Sequence, residues 1–340
     1  MALIEIRGLS TVFGPHPQAA LEKVRAGMDK PGLLATTGHV LALDRIELDI
    51  EGGEIFVIMG LSGSGKSTLV RHINRLIDPT EGTVRIAGED VTALPIPALI
   101  ALRRRRLAMV FQRFGLHAHR SVLDNVAYGL EIRGVPRAQR ENEARAWIER
   151  VGLAGVETQY PAQLSGGMQQ RVGLARALCA GTDIILMDEA FSALDPLIRS
   201  QLQGELLALQ ATLGKTVVFI THDLDEALRI GNRIAILKDG ALVQVGTPED
   251  ILLRPADDYV AAFVRDVNRA RALRLHNALA PWPQTHPLPA LARAVDVDAP
   301  IESVLPRLVG RSTPIALRKD GRIVGCVDVD AVSALLAPQG

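Results

Sequence analysis

The chain has 340 residues, 48% of them apolar, enough for a substantial core divided between two domains. Lys plus Arg balance Asp plus Glu at 38 each, so the chain as a whole offers no electrostatic match to nucleic acid. Two distant cysteines, Cys179 and Cys326, argue against a disulfide framework and for a reducing compartment, the opening residues lack the apolar core of a signal peptide, and no apolar run approaches the ~20 residues that span a bilayer.

Leu3 to Ile6 alternates and reads as a strand. Residues 15–40 read as an insertion between early strands: His16 to Met28 has helical character, and Lys30-Pro-Gly is expected to break it. Leu43 to Ile50 alternates again, and Ile55 to Met59 is a continuous apolar run of the kind buried on both faces of a sheet. A Gly-rich loop, Gly60 to Ser67, follows, and then a helix carrying Leu69, Val70 and Ile73. Further strands are expected at 84–86, 107–111, 184–187 and 217–220, with helices at 137–151 and 168–180. Residues 234–237 and 242–245 flank the turn Lys238-Asp-Gly-Ala241, a hairpin signal. Buried strands alternating with helices predict an α/β fold with a mainly parallel core sheet. Residues 266–290 read as a linker, Pro-rich from about 278, and residues 291–340 as a small α+β module with the order strand, helix, strand, strand, helix.

Gly60-Leu-Ser-Gly-Ser-Gly-Lys-Ser67 matches Gly-x4-Gly-Lys-Ser/Thr, and it sits after a buried strand and before a helix, where a phosphate loop must sit. Its backbone N–H groups, from Gly60 through Ser62, Gly63, Ser64 and Gly65 to Thr68, would cradle nucleotide phosphates. Lys66 would bridge the β and γ positions and Ser67 would hold Mg²⁺. Ile184-Ile-Leu-Met-Asp-Glu189 is an apolar strand ending in two carboxylates, which a parallel sheet brings beside that loop. Asp188 can then hold Mg²⁺ through water, and Glu189 can polarise the attacking water. Alone, either carboxylate would read equally well as a helix cap. Val217 to Thr221 leads into His222 at the same sheet edge, placed to bond the γ-phosphate or the water. Gln112 ends the strand Met109-Val-Phe-Gln, where an amide can sense metal or water. Leu164-Ser-Gly-Gly-Met-Gln-Gln170 opens a second helix with two glycines, a further anion-seeking helix entrance without its own lysine loop. Arg103 to Arg106 reads as a solvated helix end, and His117 with His119 as a loop pair without the partners of a metal site.

Taken in order, the phosphate loop, Gln112, Leu164 to Gln170, Asp188-Glu189, Ser192-Ala-Leu-Asp195 and His222 resemble the ATP-binding-cassette ATPases over roughly residues 1–265. The resemblance implies an ABC-type fold with an antiparallel β subdomain and a helical subdomain at about 96–180. It implies that Ser165, Gly166, Gly167 and Gln169, with Asp195, serve the nucleotide of a second copy in a head-to-tail dimer around two ATP molecules. Within the family, the phosphate-loop stretch, Met187 to Arg199 and His222 to Gly231 look like the ATPase subunit of glycine betaine/proline betaine importers, as does the early insertion. That likeness implies integral membrane permease subunits as partners, a solute-binding protein acting indirectly, and a peripheral position on the cytoplasmic face of the inner membrane. Phe13 is implied as the adenine-stacking residue, with Val40 as the alternative contact. The tail resembles a single cystathionine-β-synthase-type (CBS) motif, which pairs with its twin in a dimer or serves as a small packing module.

Overall fold

The computed structural model describes residues 2–111, 115–192, 194–283, 291–308 and 313–337. By contacts the chain divides into two compact units, one comprising Met1–Asp223 with Ile230–Val243 and the other Leu224–Arg229 with Gln244–Gly340. Among the described residues no helix is long and apolar enough to cross a membrane.

Strand β1 (Ala2–Phe13) leads into two short helices, α1 (Pro17–Arg25) and α2 (Lys30–Thr37), and returns as β2 (Val40–Glu51). The two strands pair antiparallel from Ala2 opposite Glu51 to Phe13 opposite Val40, so the insertion is the connection of one long hairpin. Lys30-Pro-Gly therefore begins a helix where the sequence suggested only a break. Asp29 is the N-cap, its carboxylate accepting the Gly32 N–H at 2.9 Å, and Pro31 takes an early position whose missing N–H costs nothing. Leu33 of α2 and Ala20 and Leu21 of α1 pack on Val12 and Leu41.

β3 (Ile55–Met59) is buried along its whole length and feeds α3 (Lys66–Ile73). β4 (Glu81–Ile86) and β5 (Glu89–Asp90) complete a four-stranded sheet of order β2-β1-β4-β5. α4 (Ile96–Arg106) ends in the four arginines and passes directly into β6 (Leu107–Val110). Three helices follow, α5 (Val122–Glu131), α6 (Arg137–Arg150) and α7 (Gly166–Cys179), each with a buried apolar side: Val126 and Leu130, Trp147 and Ile148, Val172 and Leu174 among them. β7 (Ile184–Asp188), α8 (Pro196–Leu213), β8 (Thr216–Thr221), α9 (Leu224–Ile230), β9 (Arg233–Lys238) and β10 (Ala241–Gly246) complete a six-stranded sheet of order β10-β9-β3-β8-β7-β6. The β3–β8, β3–β9, β7–β8 and β6–β7 pairs are all parallel. The continuous apolar runs of β3, β7 and β8 are explained by this position, since each is an interior strand with no polar face.

The second unit continues through α10 (Pro248–Leu253), α11 (Asp258–Val264) and α12 (Arg269–Ala272). β11 (Val295–Asp296), α13 (Leu305–Leu308), β12 (Ile315–Lys319), β13 (Arg322–Val327) and α14 (Val329–Leu336) then reproduce the expected alternation. β11 pairs parallel with β12, and β12 antiparallel with β13. The first strand and helix of this tail are shorter than the pattern suggested: residues 301–303 form a single tight turn before α13. Cys179 and Cys326 are both free and buried, and burial pushes the Cys179 thiol up to about 12.

Candidate nucleotide site

β8 lies between β3 and β7, with Met59 opposite Thr221 and Asp188 opposite Ile220. The carboxyl ends of three adjacent parallel strands therefore deliver the Gly60 loop, His222 and the Asp188-Glu189 pair to one sheet edge, where open α/β sheets bind ligands.

The loop depends on missing side chains. At Gly60 (φ 151°) a Cβ would stand 2.3 Å from the Leu237 carbonyl oxygen, and at Gly65 (φ 104°) 2.8 Å from that of Ala42. Only glycine admits these approaches. The loop then runs straight into α3, whose first N–H groups have no carbonyl one turn back and point into the loop, as an anion requires. Lys66 is 5% exposed, and its ammonium donates to the carbonyls of Gly60 at 2.9 Å and Leu61 at 3.0 Å. Burial pulls this ammonium below its ordinary value, while Glu189 and Asp188 draw it back up. Two of its three donors are spent on the loop and the third remains for an anion. The Ser64 hydroxyl is buried in the same loop without a hydrogen-bond partner among the described residues.

Ser67 donates its hydroxyl to Asp188 at 2.9 Å, with Arg71 3.9 Å from the other oxygen of that carboxylate. A hydroxyl and a carboxylate in contact beside a phosphate loop form an oxygen donor set suited to Mg²⁺. Glu189 sits one residue beyond β7 with φ 46°, a left-handed conformation that costs a non-glycine residue about 1–2 kcal/mol. Its N–H bonds the Ile220 carbonyl of β8 at 3.2 Å, and His222 Nδ1 stands 3.6 Å from its carboxylate. The turn aims the carboxylate back over the loop.

Lys66, Ser67 and Glu189 line one cavity of about 320 Å³ with much of the loop, while Asp188 and His222 contact Ser67 and Glu189 from outside that lining. Phe13, Val40 and Ala42 supply its apolar lining, and Lys30, Ser62, Gly63, Gly65, Lys66, Ser67, Thr68 and Glu189 its polar lining. Phe13 and Val40 are cross-strand partners and each is 42% exposed, so the two candidate base contacts form one surface. A cavity that combines an apolar surface with a donor-rich one fits a nucleoside triphosphate with its metal.

The Leu164 to Gln170 stretch does not line this cavity. Ser165 and Gly166 are exposed at the start of α7, with Ser165 accepting the Met168 N–H at 3.3 Å as N-cap. Gln169 spends its amide on the carbonyls of Pro161 and Leu164. Asp195 is likewise outside the cavity, capping α8 through the N–H groups of Leu197 and Ile198. Gln112 lies outside the described residues.

Sequence reasoning missed Lys30, which lines the cavity from the insertion. It also missed His72, 1% exposed on α3, whose Nδ1–H donates to the Thr68 carbonyl at 2.7 Å while Nε2 accepts from the Thr11 hydroxyl at 2.9 Å. Neither carries a local signal, because both roles arise from elements far apart in the chain. His117 packs edge-on to Tyr128 at 4.5 Å between ring centres, and among the described residues no cluster of three or more His, Cys, Asp or Glu could hold a metal.

Residues 43–192 match the family model described as ABC transporter. The glycine betaine transport ATP-binding protein OpuAA of Bacillus subtilis (strain 168) is 53% identical over 270 residues, a match spanning 79% of this chain and 65% of that protein's length. The glycine betaine/proline betaine transport system ATP-binding protein ProV of Escherichia coli (strain K12) is 46% identical over 344 residues, with 99% of this chain and 83% of that protein covered. Among solved structures, the dimeric post-hydrolysis state of the ATP-binding cassette MJ0796 bound to ADP and Pi matches with TM-score 0.61 and 32% identity, covering 72% of this chain and 98% of that one.

Proposed function

Since the chain belongs to the ABC transporter family, we propose that it is the ATP-hydrolysing subunit of an importer for quaternary ammonium osmolytes, working as a pair of copies on the cytoplasmic face of the membrane beneath a separate permease. The solute class is carried over from OpuAA and ProV, whose names specify glycine betaine and glycine betaine/proline betaine transport. The site reading rests on one observation above others: Lys66, Ser67, Glu189 and the Phe13–Val40 pair line a single cavity.

In this reading Phe13 and Val40 hold the adenine, the loop N–H groups and Lys66 bind the phosphates, and Ser67 with Asp188 holds the metal. Gln112 is the expected third metal contact. Mg²⁺ held there would neutralise charge on the phosphates. Glu189 orients the attacking water and accepts its proton, and His222 positions that carboxylate and the terminal phosphate. Lys66 offsets the charge that builds on the phosphate oxygens. Ser165, Gly166, Gly167, Gln169 and Asp195 complete the site of the other copy, which accounts for an anion-seeking helix entrance that stands exposed and away from its own loop. Closure of the two copies drives the permease, and hydrolysis reopens them.

A groove of about 360 Å³ is lined by Ile100, Arg103, Met109, Tyr128, Ile132 and Arg176, residues of α4, β6, α5 and α7. Its largely apolar lining suits a permease segment. Uptake of labelled glycine betaine, proline betaine and choline by a deletion strain carrying this chain tests the solute assignment. Restored uptake of these solutes, abolished by Lys66→Ala, is expected. Unchanged uptake of all three would remove the assignment.

A further inference from the structure

The nucleotide cavity holds a second lysine that the phosphate-loop pattern does not predict. Lys30 is the first residue of α2 and lines the cavity with Phe13, Val40 and the loop. It is half-buried, and it has no ion-pair or hydrogen-bond partner among the described residues. Other cations close to the site are engaged: Lys66 on the carbonyls of Gly60 and Leu61, Arg71 near Asp188. An unneutralised ammonium facing a cavity lined with anion donors marks a ligand contact more readily than a fold contact.

Its position along the cavity is set by topology. Phe13 and Val40 end the β1–β2 pairing, and Lys30 belongs to the connection that joins them. The connection is held down at several points. Leu33 and Leu21 pack on Val12 and Leu41, Arg25 pairs with Glu81 of β4, and His39 bonds the Pro15 carbonyl. Asp29 accepts the Gly32 N–H and so fixes the first turn that carries Lys30. Lys30 is thus presented from a packed helix of the connection that follows Phe13 and precedes Val40, into the cavity that this pair also lines. A nucleotide with its base on Phe13 and Val40 and its outer phosphates in the Gly60 loop has its sugar and innermost phosphate between them. Of those two, only the phosphate is an anion.

We propose that Lys30 binds the α-phosphate of the nucleotide, and that the α1–α2 insertion is a fourth wall of the site that brings this charge to it. The inference rests on the nucleotide reading of the cavity and extends it. Such a contact is common to ATP and ADP and absent from adenosine, so it strengthens nucleotide retention without distinguishing the states before and after hydrolysis. Lys66, placed for the outer phosphates, would make that distinction instead.

Calorimetric titration of the full chain with ATP, ADP and adenosine tests the proposal, using Lys30→Ala, Lys30→Arg and Lys66→Ala. A hydrogen bond to a charged group predicts that Lys30→Ala weakens ATP and ADP alike by about tenfold. Adenosine affinity should stay unchanged, and Lys30→Arg should restore most of the loss. Undiminished ATP and ADP affinity in Lys30→Ala would overturn the proposal, as would an equal loss for adenosine, which would mean a collapsed wall rather than a lost charge. A native chain that binds neither ATP nor ADP would sink the nucleotide reading and this inference with it, an outcome separate from the other two.

Discussion

Glu189 and His72 show how much depends on single side chains. Glu189 holds a left-handed backbone conformation at the end of a buried strand, with His222 3.6 Å from its carboxylate. Glu189→Gln keeps the shape and removes the proposed proton acceptor. Steady-state ATP hydrolysis should fall by about 10²–10⁴ while ATP affinity stays within a few-fold. His72 joins α3 to β1 through Thr11, and burial keeps its imidazole below the ordinary value of 6.5, with the Thr68 carbonyl acting weakly in the other direction. The folded chain therefore prefers neutral His72, and below that ordinary value the unfolded chain binds more protons. Stability from this residue is intact above about pH 6.5, declines as pH falls through the window below it, and levels off once the depressed folded value is passed. The slope in the window is at most about 1.4 kcal/mol per pH unit. Urea unfolding between pH 7.5 and 5 should show that decline, and His72→Asn should flatten it.

At the scale of elements, legibility follows locality. β3, β7 and β8 were readable because an interior parallel strand must be apolar throughout, and Ile55–Met59 is apolar at every position. The Gly60 loop was readable because its φ angles and close approaches leave no other residue type. The insertion was half-readable. Pro31 and Gly32 are breakers in isolation, and only the Asp29 cap turns Lys30-Pro-Gly into a helix start. That Lys30 then lines the same cavity as the Gly60 loop depends on how the 14–39 connection folds over the Phe13–Val40 pair, which no local pattern encodes. The side-chain commitments of Ser165, Gln169 and Asp195 to caps and nearby carbonyls were equally invisible, since they depend on where α7 and α8 begin. The packing of α2 carries its own prediction. Leu33 is fully buried against Val12 and Leu41. Leu33→Ala should cost about 2–5 kcal/mol, and hydrogen exchange should speed up in 17–37 ahead of the six-stranded sheet.

For the whole molecule, the central claim is that one chain carries two halves of different sites. The cavity at the Gly60 loop joins an apolar pair, Phe13 and Val40, to Lys66, Ser67 and Glu189, whereas Ser165 and Gly166 stand exposed and Gly167 half-buried at the head of α7, outside that cavity. The MJ0796 cassette with ADP and Pi was solved as a dimer, and a dimer is the assembly in which both halves of this chain would be used. Its solute assignment rests on relatives, because no residue of an ATPase subunit needs to touch the solute. Light scattering of Glu189→Gln with Mg-ATP tests the claim most directly. The account predicts a dimer in Mg-ATP and a monomer in Mg-ADP, with Ser165→Arg added to the same chain abolishing the dimer while ATP still binds. A chain that stays monomeric in Mg-ATP, or a dimer indifferent to Ser165→Arg, would contradict it.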